Sequence, residues 1–250
     1  MSVWIRQFFP VPQPDRRLIC FPHAGGSASA YRAMAESLGD SRTDVLIVQY
    51  PGRQDRLAEP AAEGLGELID GLWSELLPVL ADGRPFGLFG HSMGALLAFE
   101  AARRLERAER VPAALFVSAC RGPSSTGIGS RARTLAEASD ETLVDELRLL
   151  GGSVDELLAH PGLLEIALPA IRSDFRMLGR YAYQPGAPLA CPLISLVGDK
   201  DPRVPVEEME SWRSETSGPY AAHVLLGGGH FYLDDHLPAV RDIVGAAPWR

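Results

Sequence analysis

The sequence predicts an α/β domain, a mostly parallel sheet covered by helices on both faces. Two observations carry this. Short apolar runs bounded by turn residues recur along the chain, and segments with helical spacing lie between them. A third observation places chemistry on the sheet. Residues Gly90-His91-Ser92-Met93-Gly94 sit where a strand-like run passes directly into a helix-like run.

In order, residues 17–21 read as a strand, 30–38 as a helix, 44–49 as a strand and 64–80 as a helix. Residues 85–89 form the next strand, 94–107 the helix after it, and 113–119 a further strand. The alternation then stops. After Cys120-Arg121-Gly122-Pro123-Ser124-Ser125 no strand signal returns until Pro192. Helical patterns fill the interval at 142–150, 154–158 and 161–178, and it closes on Gln184-Pro185-Gly186-Ala187-Pro188. A parallel crossover needs only about a dozen linking residues, so this block is expected to cap the C-terminal edge of the sheet. Strands at 192–197 and 220–226 follow, with a helical segment at 206–214 between them. The expected organisation is a core of residues 1–120 and 188–250 with a helical lid at 121–187.

G-x-S-x-G at a strand-to-helix junction is the pattern of a nucleophile elbow. The serine must stand at the tip of a tight, strained turn, and side chains two residues to either side would clash. Glycine at 90 and 94 removes both. The helix that starts here aims its N-terminal N–H groups at an anion forming beside Ser92. A serine hydroxyl needs a base, and the base needs an orienting acid. On an α/β-hydrolase fold these follow the serine in the order acid, then histidine. The loop Val197-Gly198-Asp199-Lys200-Asp201-Pro202 offers two acids. Related folds commonly read G-x-x-D here, which favours Asp201 and leaves Asp199 to tighten the turn. The loop Leu226-Gly227-Gly228-Gly229-His230-Phe231 offers the base, His230, on three glycines that let the backbone swing back over the sheet edge. His91, His160, His223 and His236 are read as structural. Oxyanion donors are expected from the N–H of Met93 and from the early loop Phe21-Pro22-His23-Ala24-Gly25-Gly26-Ser27, with Ala24 chosen ahead of Gly25.

Composition narrows the alternatives. Net charge is −8, which argues against a nucleic-acid partner. Three cysteines, widely spaced and without a C-x-x-C, suit reduced thiols in a cytoplasmic protein. No basic segment followed by a long apolar stretch opens the chain, and no apolar run is long enough to span a bilayer. No cofactor or metal is expected.

The segments Phe21-Pro22-His23-Ala24-Gly25-Gly26-Ser27, Tyr50-Pro51-Gly52-Arg53, Gly90-His91-Ser92-Met93-Gly94-Ala95, Leu168-Pro169-Ala170-Ile171-Arg172-Ser173-Asp174, Gly198-Asp199-Lys200-Asp201 and Gly228-Gly229-His230-Phe231 are familiar as a set. With them the chain resembles the type II, stand-alone editing thioesterases of polyketide and nonribosomal peptide synthases, members of the α/β-hydrolase superfamily. The resemblance implies hydrolysis of stalled or wrong acyl groups from the phosphopantetheine arm of an acyl- or peptidyl-carrier protein. It implies Ser92, Asp201 and His230 as the triad, Met93 and Ala24 as the oxyanion hole and a mobile lid at 121–187; the protein is expected to be a monomer. Arg131, Arg133, Arg172, Arg176 and Arg180 are candidates for a basic patch that docks an acidic carrier; 172, 176 and 180 recur at a helical spacing. A small-ester carboxylesterase of the same fold and a non-catalytic binding protein on that scaffold remain alternatives.

Overall fold

The computed structural model describes residues 2–40, 42–125, 127–151 and 157–249. Seven strands form one sheet: β1 (Ile5–Arg6), β2 (Arg16–Phe21), β3 (Thr43–Val48), β4 (Phe86–His91), β5 (Ala114–Ser118), β6 (Leu193–Gly198) and β7 (Tyr220–Leu225). Their spatial order is β1-β3-β2-β4-β5-β6-β7, and every pairing is parallel except β1 with β3. The helices are α1 (Arg32–Leu38), α2 (Leu65–Val79), α3 (Met93–Arg107), α4 (Ile128–Glu137), α5 (Asp140–Arg148), α6 (Pro161–Arg180) and α7 (Leu233–Gly245).

The central strands are apolar on both faces because both faces are covered. Along β2, Leu18 and Cys20 pack with α1 and α7, while Ile19 and Phe21 pack with α2 and α3. The period-two alternation of a strand thus feeds two cores from one sheet. Parallel strands end at one edge, and the loops leaving β2, β4, β6 and β7 at that edge carry Ala24, Ser92, Asp201 and His230.

Helices α4, α5 and α6 lie between β5 and β6 in sequence and build a core of their own, Leu135, Leu143, Leu147 and Ile171, into which Phe231 also packs. Ser139 caps α5 by accepting a hydrogen bond from the Thr142 N–H at 3.2 Å. Among the described residues no helix is long and apolar enough to cross a membrane.

Three elements differ from expectation. The two-residue edge strand β1 is too short to carry a periodic signal, and its pairing with β3 is fixed by tertiary contact. Helix α4 carries Gly129 and a Gly127 N-cap with φ +88°, a weak local helix signal, and it forms through packing against α6. The segment expected as a helix at 206–214 is a 3-10 helix, Val206–Glu215. Most of the helical pattern expected at 154–158 lies outside the described residues.

Candidate active site

Ser92 occupies φ 53°, ψ −118°, a conformation in which L-residues are strained. The turn leaves no alternative at the flanking glycines. A Cβ on Gly90 would lie 2.1 Å from the Gly94 carbonyl oxygen, and a Cβ on Gly94 would lie 1.9 Å from that of Phe21. The Ser92 N–H donates to the Ser118 carbonyl at 2.8 Å, which ties the elbow to β5.

The late loops converge on this serine. His230 Nε2 lies 3.1 Å from Ser92 Oγ, and His230 Nδ1 lies 2.9 Å from Asp201 Oδ2. His230 and Asp201 are buried. The other Asp201 oxygen accepts from the N–H groups of Arg203 and Val204 at 2.7 and 3.2 Å, so the carboxylate is oriented by its own loop. Asp199 does not reach the histidine. It is exposed and accepts from the Gly227 N–H at 2.6 Å, bracing the two loops against each other. The loops touch backbone to backbone: a Cβ on Gly198 would sit 2.1 Å from the Gly228 carbonyl oxygen.

The remaining histidines have other partners or lie on other elements. His91 is fully buried, and its Nδ1 lies 2.7 Å from Ser118 Oγ. Burial holds it well below its ordinary pKa, helped by the charges of His230 and His23. His23 contacts Tyr31 Oη through Nδ1 at 2.9 Å; burial, then His230 and Arg53, hold its pKa down to about 3. His223 lies in β7, His160 precedes α6, and the His236 ring reaches the carbonyls of Tyr232 and Leu226.

Ser92 and His230 form the floor of a cavity of about 830 Å³. Its upper wall comes from the helical insertion and is mostly apolar, including Leu135, Leu147, Ile171 and Phe175, with Ser130 and Arg131 also lining it. Ala24, Met93 and Cys120 also line it. Among the described residues no hydrogen bond engages the N–H of Ala24 or Met93. The Gly25 N–H, by contrast, is already taken, donating to Asp174 Oδ2 at 2.7 Å. No group of three or more His, Cys, Asp or Glu among the described residues is placed to hold a metal.

The basic patch is smaller than the sequence suggests. Arg172 pairs with Asp140 and donates to the carbonyls of Ala136 and Ala138, Arg180 pairs with Glu63, and Arg131 pairs with Glu146. These arginines are stitched into the insertion or onto the core. Only Arg133 and Arg176 of the five are exposed with no ion pair among the described residues.

One pair escaped sequence reasoning. Arg53 forms a forked ion pair with Asp174, Nη1 to Oδ2 at 2.8 Å and Nη2 to Oδ1 at 2.9 Å, and both side chains are buried. Both residues end segments that stand out in the sequence, Tyr50-Pro51-Gly52-Arg53 and Leu168–Asp174, but nothing local couples positions 121 residues apart.

Residues 16–247 match the thioesterase domain family. The chain is 43% identical over 235 residues to thioesterase PikA5 of Streptomyces venezuelae, covering 94% of this chain and 81% of that one. It is 43% identical over 244 residues to the "Probable cadicidin biosynthesis thioesterase" of Streptomyces griseus, where it covers 98% of its own length but 65% of the relative's. Its fold superposes on the structure of the type II thioesterase BorB from the borrelidin biosynthetic cluster with a TM-score of 0.85, at 45% identity, over 98% of this chain and 97% of that one. A seven-stranded, mostly parallel sheet of this kind, matched along nearly its whole length, makes the chain a member of the thioesterase domain family with an α/β-hydrolase fold.

Proposed function

We propose that this thioesterase removes acyl groups from the phosphopantetheine arm of an acyl- or peptidyl-carrier protein, with Ser92 as nucleophile, His230 as general base and Asp201 as its orienting acid. The observation that carries this reading is the hydrogen-bonded line from Asp201 through His230 to Ser92 at the floor of an apolar cavity. A neutral imidazole with its proton on Nδ1, donated to Asp201, leaves the Nε2 lone pair facing Ser92 Oγ. The Oγ attacks the thioester carbonyl carbon while its proton passes to Nε2. Charge on the carbonyl oxygen is met by the N–H groups of Met93 and Ala24. Collapse breaks the C–S bond, and His230 returns the proton to the departing sulfur. A thiolate leaves far more readily than an amide nitrogen, so little acid assistance is needed at this step. Water then repeats the sequence on the Ser92 ester, releasing acid and free serine.

The apolar wall suits an acyl chain and excludes water from the ester until the arm has left. Residues 121–187 serve in this reading as a lid that must part to admit the arm. The test is a panel of acyl-carrier proteins and matched oxyesters, with the acyl-enzyme trapped and mapped by mass spectrometry. Carrier thioesters should turn over faster and the adduct should sit on Ser92. A wide preference for free oxyesters would make the protein a carboxylesterase, and no turnover of either class would make it a binding protein.

A further inference from the structure

Arg53 and Asp174 are spent on neither the proposed triad nor the oxyanion donors, yet they meet at the loop that carries one of those donors. Asp174 lies on α6, in the helical insertion, and is 2% exposed. One oxygen accepts from the Gly25 N–H and from Arg53 Nη1, and the other accepts from Arg53 Nη2. Arg53 Nη1 also donates to the Gly26 carbonyl at 3.2 Å. The loop is therefore held through both the N–H of Gly25 and the C=O of Gly26, the two residues that follow Ala24.

The same helix face presses on the loop a second way. Ile171 and Asp174 are three apart on α6 and so share a face. A Cβ added to Gly25 would lie 2.3 Å from Ile171 Cγ1. Gly25 has φ +77°, which a side chain would resist, so glycine here answers both the backbone and the close packing of α6. Arg53 is braced in turn: its Nε donates to the Pro51 carbonyl at 3.3 Å, and its guanidinium stacks over the Tyr50 ring at 5.1 Å.

We propose that Asp174, locked by Arg53, is a positioning residue that reaches from the helical insertion to hold loop 22–27 with the Ala24 N–H aimed at the oxyanion. Two features separate this from a general structural role. Asp174 occupies the N–H next to the proposed donor, while among the described residues no hydrogen bond engages the Ala24 N–H itself. It also makes the oxyanion site depend on where α6 sits, so a lid displaced at this end would leave the site incomplete. The inference rests on the mechanism proposed above.

The test compares wild type with Asp174→Asn and Arg53→Lys in the full chain. Three quantities are read: kcat and KM on a small acyl-pantetheine thioester, affinity for a trifluoromethyl ketone that forms a hemiketal oxyanion, and affinity for the matching thioether, which forms none. A well-aimed oxyanion donor is worth on the order of 10²–10³ in rate, so a mis-aimed one should cost about tenfold or more in kcat. Ketone affinity should weaken by a similar factor, with KM and thioether affinity within about twofold of wild type. Arg53→Lys keeps the cation but not the fork, and carries the same readout should Asp174→Asn fail to fold. Unchanged kcat and ketone affinity in a folded variant overturns the proposal, as does an equal weakening of ketone and thioether. A wild type whose ketone forms no adduct on Ser92 removes the mechanism beneath it, an outcome the wild-type measurement identifies by itself.

Discussion

His91 Nδ1 meets Ser118 Oγ at 2.7 Å, and that hydroxyl also meets Tyr232 Oη, while His91 Nε2 is buried with no hydrogen-bond partner among the described residues. The strand register sets this up, because His91 and Ser118 are directly paired across β4 and β5. The ring packs beside His230, with centroids 5.5 Å apart, so a charge on it would be both desolvated and repelled.

The consequence is a pH dependence of stability. Burial holds His91 below its ordinary value of 6.5, so between that pH and the folded value the unfolded chain binds a proton that the native protein refuses. Stability is therefore full above about pH 6.5 and falls as the pH drops, by up to about 1.4 kcal/mol per unit from this residue. Urea midpoints of wild type and His91→Gln should converge between pH 7 and pH 5. A gap that stays constant over that range would mean His91 takes up its proton inside the fold.

Ser92 holds its strained backbone only because the elbow demands it. Ser92→Ala should fold with near-native stability and lose several orders of magnitude in kcat, since the nucleophile goes while binding and the oxyanion donors stay. Ser92→Gly should be equally inactive and, with φ at 53° no longer strained, more stable than Ser92→Ala by about 1 kcal/mol. Thermal melts and initial rates on one substrate check both. Near-normal turnover in either variant would remove Ser92 from the mechanism.

Asp201 and Asp199 should separate cleanly. Asp201→Asn removes the acceptor that fixes the His230 tautomer and should reduce kcat by on the order of 10³ or more. Asp199→Asn touches only the Gly227 N–H and should cost less than about tenfold. The reverse ranking in steady-state kinetics would give Asp199 the role.

Gating should be uneven across the helical insertion. The second half of α6 is pinned by Asp174 and Ile171, whereas Leu149, just past the C-terminus of α5, and Leu163 and Ile166 in the first turns of α6 are exposed. Amide exchange should be faster in α5 and the first turns of α6 than in residues 170–180, and an acyl-phosphonate on Ser92 should slow it. Uniform protection with and without ligand would argue against an opening lid.

Under the proposed function, Arg133 and Arg176 are the two of the five candidate arginines left without an ion pair among the described residues to dock a carrier. Arg133 lies against Gly179, one turn along α6 from Arg176. Reversing both charges should raise KM for an acyl-carrier protein several-fold and leave a small pantetheine thioester unchanged, and added salt should act in the same selective way. A matching response from both substrates would place docking elsewhere.

Most of this site was legible because its determinants are local. A tight elbow requires Gly90 and Gly94 beside Ser92, and the strand-to-loop order fixes where an acid and a histidine must follow. The choice between Asp199 and Asp201 rested on two positions of loop geometry, and only coordinates distinguish a carboxylate facing His230 from one facing Gly227. The fork of Arg53 and Asp174 was illegible for the opposite reason: it is made by the docking of α6 onto the loops after β2 and β3. The arginine stripe shows the limit of spacing: a four-residue repeat aligns side chains without saying what stands opposite. Asp140 and Glu63 stand opposite two of the three.

Cys120 lines the same cavity as Ser92. Burial pushes its thiol up to about 12, so the protonated form dominates at neutral pH. Cys191 is held at a similar value, and Cys20 is raised further still. Disulfide exchange and oxidation both begin from the thiolate. In the proposed reaction, the cavity that admits a thioester is thereby lined by a thiol held protonated, which disfavours disulfide exchange between Cys120 and a liberated thiol.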